Sequence, residues 1–317
     1  MSLTVRRYNS AVDRDMWDSF VDKEARNATF LHLRDYMDYH SDRFADNSLI
    51  VEAGGRTVAL LPGCALDNGI FSSHAGLTYG GLLMSPRLTQ QMAIDAFGEI
   101  NAVLRSDGFV RAIYKPVPHI YHRTPAEEDL YALFHEGLGL TLQGRSPSAV
   151  VMMADRLGLT ENRRRGVKKA LARGVRIVES ADFSDFWKIL TDNLEYRHGA
   201  APVHTLSEIE LLHGRFPERI RLFEARGADG SALAGCVIYD CGTVWHTQYI
   251  SASEAGRECA ALDLLLSTLL DKCPARYFDF GTSTEHGGRY LNAGLIHQKE
   301  GFGGRAVTYD TWMYSLL

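Results

Sequence analysis

The chain has 317 residues, of which 45% are hydrophobic and 23% charged, and a formal net charge of −5 at pH 7. These values are typical of a globular protein with two domains, and they argue against a surface that coats nucleic acid, which would be strongly basic. The five cysteines show no C-x-x-C spacing, so neither a disulfide framework nor a zinc knuckle is expected. We expect a cytoplasmic protein without a membrane span, because the sequence contains no signal peptide and no sufficiently long apolar run.

Helix-spaced and strand-like patterns alternate through the first half of the sequence. Two amphipathic helices are predicted first, around Trp17 to Val21 and around Leu33 to His40. The next elements are predicted as strands at 48–53, 57–64, 70–74 and 77–84, a helix at 93–104, a strand at 110–117, a helix at 130–138 and a strand at 140–143. Since short Gly-rich turns join the first strands, we expect those strands to be antiparallel.

The second half repeats this order. A helix rich in Arg and Lys is predicted at Glu161 to Arg173, and an apolar stripe from Phe183 to Leu194 predicts a second helix that faces the core. A third helix is predicted at Leu206 to Gly214. The remaining elements are predicted as strands at 219–226, 232–239 and 243–250, a helix at 258–271, a strand at 277–281, a helix at 289–297 and a strand at 306–312.

Each half therefore has the order β-β-β-α-β-α-β, which predicts an α/β fold with mixed sheets and two similar domains. The turn-rich segment Arg145 to Ser148 predicts the boundary, giving domains 1–146 and 147–317. In each half a helix joins two strands that should be parallel, and ligands bind beyond the carboxyl ends of such strands. In the second half those ends are Ser251 to Glu258 and Gly281 to Arg289.

Polar residues on two neighbouring strands of the second half mark a candidate site. His246 and Gln248 are predicted to alternate onto one face of a central strand, beside Tyr277 and Asp279 on the next strand. His246 is either a general base, or a donor that orients the nucleophile, or a hydrogen-bonded core residue. Gln248 and Asp279 are candidate substrate-binding residues.

The Gly-rich segment after the second of these strands adds further candidates. Glu285 is predicted to accept a proton, and Arg289 to pair with a phosphate or carboxylate, although an ion pair on a solvated loop is the alternative. Lys299 is a candidate anion partner or a surface lysine at a helix end. Asn292 is a candidate polar contact or an exposed helix residue.

Two further groups of residues are candidates for binding. Arg163, Arg164, Lys168 and Lys169 predict an exposed basic helix face that holds phosphates, or a plain solvated face. Tyr79, Lys115 and His119 of the first half are predicted to line a groove between the domains. We predict no metal site. His119 and His122 have a spacing that could bind a metal on a helix, but Pro118 directly precedes them and no third ligand accompanies them.

The element order resembles the GNAT acyltransferase fold, and two such units in tandem resemble the Fem-type peptidyltransferases. The specific resemblance lies in Tyr277 to Gly281, in Leu295 to Arg305 with its Gly-Phe-Gly-Gly turn, and in the basic helix Arg163 to Ala170. It is good over residues 146–317 and mostly architectural before them. What it implies is transfer of an acyl group to an amine or hydroxyl.

The resemblance implies two classes of donor. GNAT enzymes use acetyl-CoA or another acyl-CoA, for which Ser253, Gly256 and Arg257 are the candidate binding residues, although only Gly256 matches the usual pyrophosphate-loop pattern. Fem-type enzymes use aminoacyl-tRNA and act on cell-envelope precursors. The implied acceptor is a glycan precursor, a peptide or an amino sugar. The alternative is a non-catalytic module that binds a nucleotide-linked or tRNA ligand.

Overall fold

The computed structural model describes residues 3–316, and their side chains except those of residues 197 and 198. Its helices are α1 (Arg14–Lys23), α2 (Arg34–Met37), α3 (Gln90–Ser106), α4 (Glu128–His135), α5 (Glu161–Ala172), α6 (Ser184–His198), α7 (Leu206–Arg215), α8 (Glu254–Glu258), α9 (Ala261–Lys272) and α10 (Ala293–Glu300). Its strands are β1 (Leu3–Arg7), β2 (Leu49–Ala53), β3 (Arg56–Leu61), β4 (Cys64–Leu66), β5 (Ile70–Ser72), β6 (Leu83–Met84), β7 (Arg111–Tyr114), β8 (Thr141–Met152), β9 (Arg176–Ser180), β10 (Ile220–Arg226), β11 (Ala232–Asp240), β12 (Val244–Ala252), β13 (Tyr277–Thr282), β14 (Thr284–Glu285), β15 (Tyr290–Leu291) and β16 (Arg305–Ser315).

The chain forms two compact units. The first unit comprises Met1–Ser146, Thr284–Tyr290 and Thr308–Leu317, and the second comprises Pro147–Ser283 and Leu291–Val307. The division at 146 and 147 falls inside β8, so the turn predicted at 145–148 is wrong. Ser148 pairs with Thr282 of β13, and this ladder pairing overrides the turn preference of the Ser-Pro-Ser sequence.

The second unit is built on a sheet with the strand order β8-β13-β12-β11-β10-β9. Strands β10 to β12 are antiparallel neighbours, whereas β12 and β13 are parallel and are connected through α8 and α9, which confirms the predicted parallel pair. Helix α9 covers the sheet with buried leucines, among them Leu265 and Leu269, and Phe278 and Phe280 of β13 complete the same core. Apolar burial of this extent is the main stabilising contribution to the unit.

A β-bulge interrupts β12 at Gln248. Tyr249 lies opposite Val237 and Thr247 lies opposite Ile238, which leaves Gln248 as the extra residue of the strand. The regular alternation from which His246 and Gln248 were predicted to share one face is therefore interrupted at Gln248.

The first unit contains the antiparallel sheet β1-β2-β3-β6 and a second set of strands, β4-β5-β7-β16, in which β5 and β7 are parallel as predicted. Of the strand predicted at 77–84 only β6 is present, because backbone groups of residues 77–81 form hydrogen bonds with Lys115 and not with a neighbouring strand. The Leu77 carbonyl accepts from Lys115 Nζ, and Gly80 N donates to the Lys115 carbonyl at 3.0 Å. Gly81 then takes a left-handed φ of 65°.

Two helix starts in the second half differ from prediction. The helix predicted from residue 258 is broken at Ala260, whose φ of 59° separates α8 from α9. The helix predicted from residue 289 begins at Ala293, because Asn292 caps it by accepting from Leu295 N at 3.1 Å. Asn292 thus terminates an extended segment instead of lying within a helix.

Candidate functional site

The two parallel strands of the second unit stop pairing at His246 and Asp279. Their ladder joins Val244 to Tyr277 and ends with His246 opposite Asp279, after which β12 runs on to Ala252 beside β11. The carboxyl ends of these strands are the expected location of a ligand in an α/β sheet. The predicted neighbourhood of His246 and Asp279 is present in the structure.

Asp279 is the most completely buried charged group of this region. Its carboxylate accepts from the Ser148 hydroxyl, from Gly281 N at 2.8 Å and from His246 Nδ1 at 3.0 Å. Burial of a carboxylate is costly unless its oxygens are hydrogen-bonded, and these three donors compensate for the lost water. The group therefore contacts other residues of the protein, whereas the sequence predicted a contact with substrate.

Lys299 is buried, so the prediction of a surface lysine at a helix end is wrong. Its Nζ donates to the carbonyl oxygens of Gly281 and Thr282, at 2.9 and 2.8 Å. Burial lowers the pKa of this ammonium to about 8, partly opposed by attraction to Asp279. Lys299 thus holds the carboxyl end of β13 in place.

A cleft of about 430 Å³ lies within the second unit, beyond the carboxyl end of β12. Apolar side chains of α6, β12 and the start of α9 form one part of its wall, and polar groups of α5, α6, α8 and α10 form the rest. The lining residues are Arg163, Leu190, Asn193, Leu194, Ile250, Ser251, Ala252, Gly256, Arg257, Ala260, Leu262, Asp263, Leu295 and Gln298. Its size is within the range of small-molecule sites.

The charged groups of the cleft are two arginines and one aspartate, a net charge of +1. Arg163 Nη1 donates to Asp263 Oδ1 at 2.6 Å, and Arg257 Nη1 donates to the Ala252 carbonyl at 2.6 Å and to Asn193 Oδ1 at 3.1 Å. Each guanidinium carries five N–H groups, so both can also bind an anion while these bonds persist. Helix α9 begins at this wall, and its N-terminal end also favours an anion.

The three predicted donor-binding residues have distinct roles in the turn before α9. Ser253 caps α8 by accepting from Gly256 N at 3.1 Å. Gly256 lies against β11, where a Cβ would come within 1.9 Å of the Leu233 carbonyl oxygen, so packing alone requires glycine there. Arg257 and Gly256 line the cleft, whereas Ser253 does not belong to its lining residues.

The basic helix α5 divides into two parts. Arg164, Lys168 and Lys169 are exposed, as predicted, and Arg164 pairs with Glu161 of the same helix at 2.9 Å. Arg163 is not part of this exposed face, because it turns toward Asp263 and lies over the Phe302 ring, with its guanidinium carbon 5.3 Å from the ring centre. It contributes to the cleft instead.

The remaining predicted site residues belong to the first unit. Glu285 and Arg289 are exposed in the segment 284–290 that groups with this unit, and His119 is exposed in a short 3-10 turn. Tyr79 is buried, and Lys115 Nζ donates to the Leu77 carbonyl. The second-unit cleft contains none of these residues.

Sequence reasoning missed Ser148 and Asn193. Ser148 carried only a turn signal, although it reaches the Asp279 carboxylate from β8. Asn193 lies on the helix that the apolar stripe predicted as core-facing, yet its Nδ2 donates to Ser251 Oγ at 2.8 Å and to the Ala252 carbonyl at 2.9 Å. A polar residue beside the stripe at Leu190 and Leu194 was the available signal, since both leucines line the cleft.

Neither a membrane span nor a metal cluster was found in residues 3–316. No helix among them combines the length and the apolar character needed to cross a bilayer. The same residues include no group of three or more His, Cys, Asp or Glu side chains placed to hold a metal ion.

Comparisons with known proteins show which fold the chain shares with other structures. Residues 159–290 match the family model described as an acetyltransferase (GNAT) domain. No curated protein matches the sequence. Several solved structures are similar over nearly the full length of this chain and of their own, at low sequence identity.

One of these is FemX, with a TM-score of 0.68 and 12% identity over 98% of this chain and 97% of that one. Another is the C-terminal domain of a putative lysylphosphatidylglycerol synthetase from Agrobacterium fabrum, with a TM-score of 0.63 and 12% identity over 96% and 92%. A third is a tandem GNAT protein from the clavulanic acid biosynthesis pathway, with a TM-score of 0.51 and 14% identity over 100% and 99%. These similarities confirm the predicted mixed α/β fold, which is similar to that of FemX and of a tandem GNAT protein.

Proposed function

We propose that the protein moves an acyl group from acetyl-CoA or another acyl-CoA to an amine or hydroxyl, because residues 159–290 match the family model of an acetyltransferase (GNAT) domain. The acceptor we propose is a glycan precursor, a peptide or an amino sugar. The observation that carries the proposal is the cleft of the second unit, which opens beyond β12 and is bordered by α8 and the start of α9. Acyl-CoA is a cytoplasmic metabolite, so the proposal places the protein in the cytoplasm.

The wall of the cleft fits a long donor with an apolar arm and an anionic end. Leu190, Leu194 and Ile250 offer an apolar surface to the arm, and Arg163 and Arg257 offer cations to phosphate oxygens. The net positive charge of the wall favours a phosphate-bearing donor over a neutral one. Asp263 opposes this attraction, but its charge is paired with Arg163.

A second donor class, aminoacyl-tRNA, is favoured by the exposed cations of α5. Arg164, Lys168 and Lys169 carry positive charge on one short helix of the same unit, and such a surface suits a phosphate backbone. The fold similarity to FemX and to a lysylphosphatidylglycerol synthetase domain is compatible with this donor. In either case the reaction remains acyl transfer in the second unit.

The test measures consumption of the donor. Thiol release from acetyl-CoA is followed with a panel of amino sugars and peptide amines, and release of amino acid from charged tRNA is followed in parallel. In Leu194→Trp an indole fills the cleft, so kcat/KM for the donor should fall at least about tenfold, whereas the control Leu211→Trp changes an exposed residue of α7 and should have no effect.

Three results would contradict the acyl-CoA proposal. Turnover of charged tRNA without turnover of acyl-CoA would show that aminoacyl-tRNA is the donor. Saturable binding of either compound without any product would identify a binding module. Turnover that survives Leu194→Trp would place the donor outside the cleft.

A further inference from the structure

Three side chains from three adjacent strands of the second unit form a continuous hydrogen-bonded line, Ser148, Asp279 and His246. We propose that Asp279 and Ser148 are positioning residues that hold His246 as the general base of acyl transfer, an inference that rests on the function proposed above. Sequence reasoning assigned Asp279 to the substrate and left His246 with several roles. The contacts between them distinguish these roles.

The contact with Asp279 determines which ring nitrogen of His246 is basic. Asp279 Oδ2 lies 3.0 Å from His246 Nδ1, and a buried carboxylate requires a hydrogen there, so Nδ1 carries the proton of the neutral ring. The lone pair is then on Nε2, which becomes the nitrogen able to accept a proton from a nucleophile. A second-strand carboxylate that fixes a histidine tautomer is a general device for orienting a base.

The carboxylate itself is held from two further directions. Ser148 Oγ and Gly281 N both donate to Asp279 Oδ1, while His246 takes Oδ2. Gly281 has a left-handed φ of 74°, and a Cβ built on it would lie 3.4 Å from His246 Cε1, so the ring packs against this glycine. The imidazole is thus fixed both by its hydrogen bond and by the turn beneath it.

Lys299 fixes the same turn from the opposite side. Its Nζ donates to the carbonyls of Gly281 and Thr282, so Gly281, whose N–H donates to Asp279, is held at its carbonyl as well. Catalytic side chains are held most precisely when they lie on rigid elements. His246 and Asp279 lie opposite each other at the last paired position of the central strands β12 and β13.

The proposed base is partly exposed, whereas the two positioning residues are fully buried. Ser148 and Asp279 are 0% exposed, whereas the His246 side chain is 15% exposed. Only His246 can therefore meet an acceptor molecule. This is the arrangement expected of one group that exchanges a proton and two that orient it.

The chemical step is balanced with these groups. The acceptor nitrogen attacks the thioester carbonyl carbon, so a C–N bond forms and the C–S bond breaks. The proton displaced from the nitrogen passes to His246 Nε2. The thiolate leaves and takes up this proton from the imidazolium, directly or through solvent, which gives the free thiol and restores the neutral ring. Asp279 stays ionised throughout and stabilises the imidazolium, as the orienting carboxylate does in other base-assisted acyl transfers.

The first test is spectroscopic and needs no turnover. In protein labelled with ¹⁵N-histidine, the signals of His246, assigned by their absence in His246→Gln, should show a protonated Nδ1 and an unprotonated Nε2. In Asp279→Asn the amide can donate to Nδ1, so the proton should move to Nε2. A protonated Nε2 in the neutral wild-type ring, or an unchanged tautomer in Asp279→Asn, would overturn the inference.

The second test is kinetic. Asp279→Asn should lower kcat by about 100-fold or more and change the donor KM by less than about threefold, because the lost interaction belongs to the transition state. Ser148→Ala removes one of three donors and should lower kcat less, which keeps the inference testable if Asp279→Asn does not fold. The control Asp271→Asn removes an exposed carboxylate of α9 and should leave kcat unchanged.

The outcomes distinguish this inference from the proposed function. If wild-type protein transfers no acyl group from either donor but shows the Nδ1 tautomer, the proposed function is wrong and His246 is a bonded structural histidine. If the protein is active and Asp279→Asn retains its kcat, the function stands and the positioning role is wrong.

Discussion

Gly256 shows how closely single residues are constrained around the cleft. A Cβ at this position would lie 1.9 Å from the Leu233 carbonyl oxygen, a backbone atom that cannot move aside easily. Gly256→Ala should therefore lower the free energy of unfolding by about 1–3 kcal/mol in urea titrations. The control Gly98→Ala lies inside α3 with open space around it, and should raise that energy by about 0.5–1 kcal/mol. Equal effects of the two substitutions would contradict the packing argument.

Lys299 makes the stability of the second unit depend on pH in the alkaline range. Its pKa in the folded protein is about 8 against 10.5 when unfolded, so between these values the unfolded chain binds more protons and stability rises with pH. Wild-type protein should gain up to about 3 kcal/mol relative to Lys299→Met between pH 8 and 10.5. Chemical denaturation at a series of pH values measures this difference.

The matched control is Lys168→Met, which changes an exposed lysine of α5. Its stability should run parallel to that of the wild type over the same range. A constant difference between wild type and Lys299→Met would show that the buried ammonium is not perturbed.

At the scale of residues, the sequence predicted the neighbourhood of His246 and Asp279 because parallel strands and alternation define it. It did not predict the burial of Lys299, since a charge near a helix end is ordinarily solvated and only the tertiary structure places the Gly281 and Thr282 carbonyls around it. Ser148 was missed for the same reason. Its partner is distant in sequence and its local pattern predicts a turn.

Two buried histidines make the first unit sensitive to acid, His74 after β5 and His32 in the 3-10 turn of residues 30–32. Burial lowers the pKa of His74 to about 3 and that of His32 to about 4, and charge on the neighbouring His40, Lys115 and Arg34 lowers the pKa of His74 further. Both histidines are therefore neutral in the fold, and stability is present above pH 6.5 and lost as the pH falls from there toward 3 to 4. Each contributes on the order of 3 kcal/mol to this loss.

Asp129 has the opposite effect on stability as the pH falls, because burial raises the pKa of its carboxyl to about 7. The two histidines together lose more stability in acid than this one carboxyl gains. The variant His74→Asn removes a titrating group while accepting the φ of 64° that His74 adopts, since Asn tolerates the left-handed region. Its melting temperature should fall less between pH 6.5 and 4 than that of the wild type or of His135→Asn, an exposed control. Identical pH profiles would contradict the account.

Helix α5 is expected to bind phosphates through its exposed cations. If charged tRNA is the donor, log K should fall with log salt by about 0.7 for each phosphate contacted, and the triple variant Arg164→Glu, Lys168→Glu, Lys169→Glu should flatten this slope. Filter binding at several salt concentrations measures it. The control Lys188→Glu changes an exposed lysine of α6. Binding that is independent of salt, or unaffected by the triple variant, would leave α5 a solvated helix.

At the scale of elements, long periodic segments were predictable and irregular ones were not. The leucines of α9 and the alternating strands β10 to β12 have strong patterns, and the structure contains them. The strand predicted at 77–84 failed because Lys115 binds the Leu77 carbonyl, and the turn predicted at 145–148 failed because β13 pairs with it. Both errors come from partners remote in the chain.

At the scale of the molecule, the repeated element order predicted the tandem fold because each half supplies its own parallel pair and its own core. Segments 284–290 and 308–317 group with the first unit, and this could not be predicted because no local sequence pattern indicates it. The assignment of residues 1–146 and 147–317 to separate domains stays a prediction. The identity of the acceptor is likewise carried by no sequence pattern.

The central claim is that the cleft of the second unit holds the acyl donor. It is tested most directly by a crystal structure of the protein soaked with coenzyme A. We expect density between α6 and α8, with phosphate oxygens within hydrogen-bond distance of Arg163 or Arg257 and the thiol end directed along β12 toward His246. A cleft that stays empty at saturating coenzyme A, or density elsewhere in the molecule, would contradict the claim.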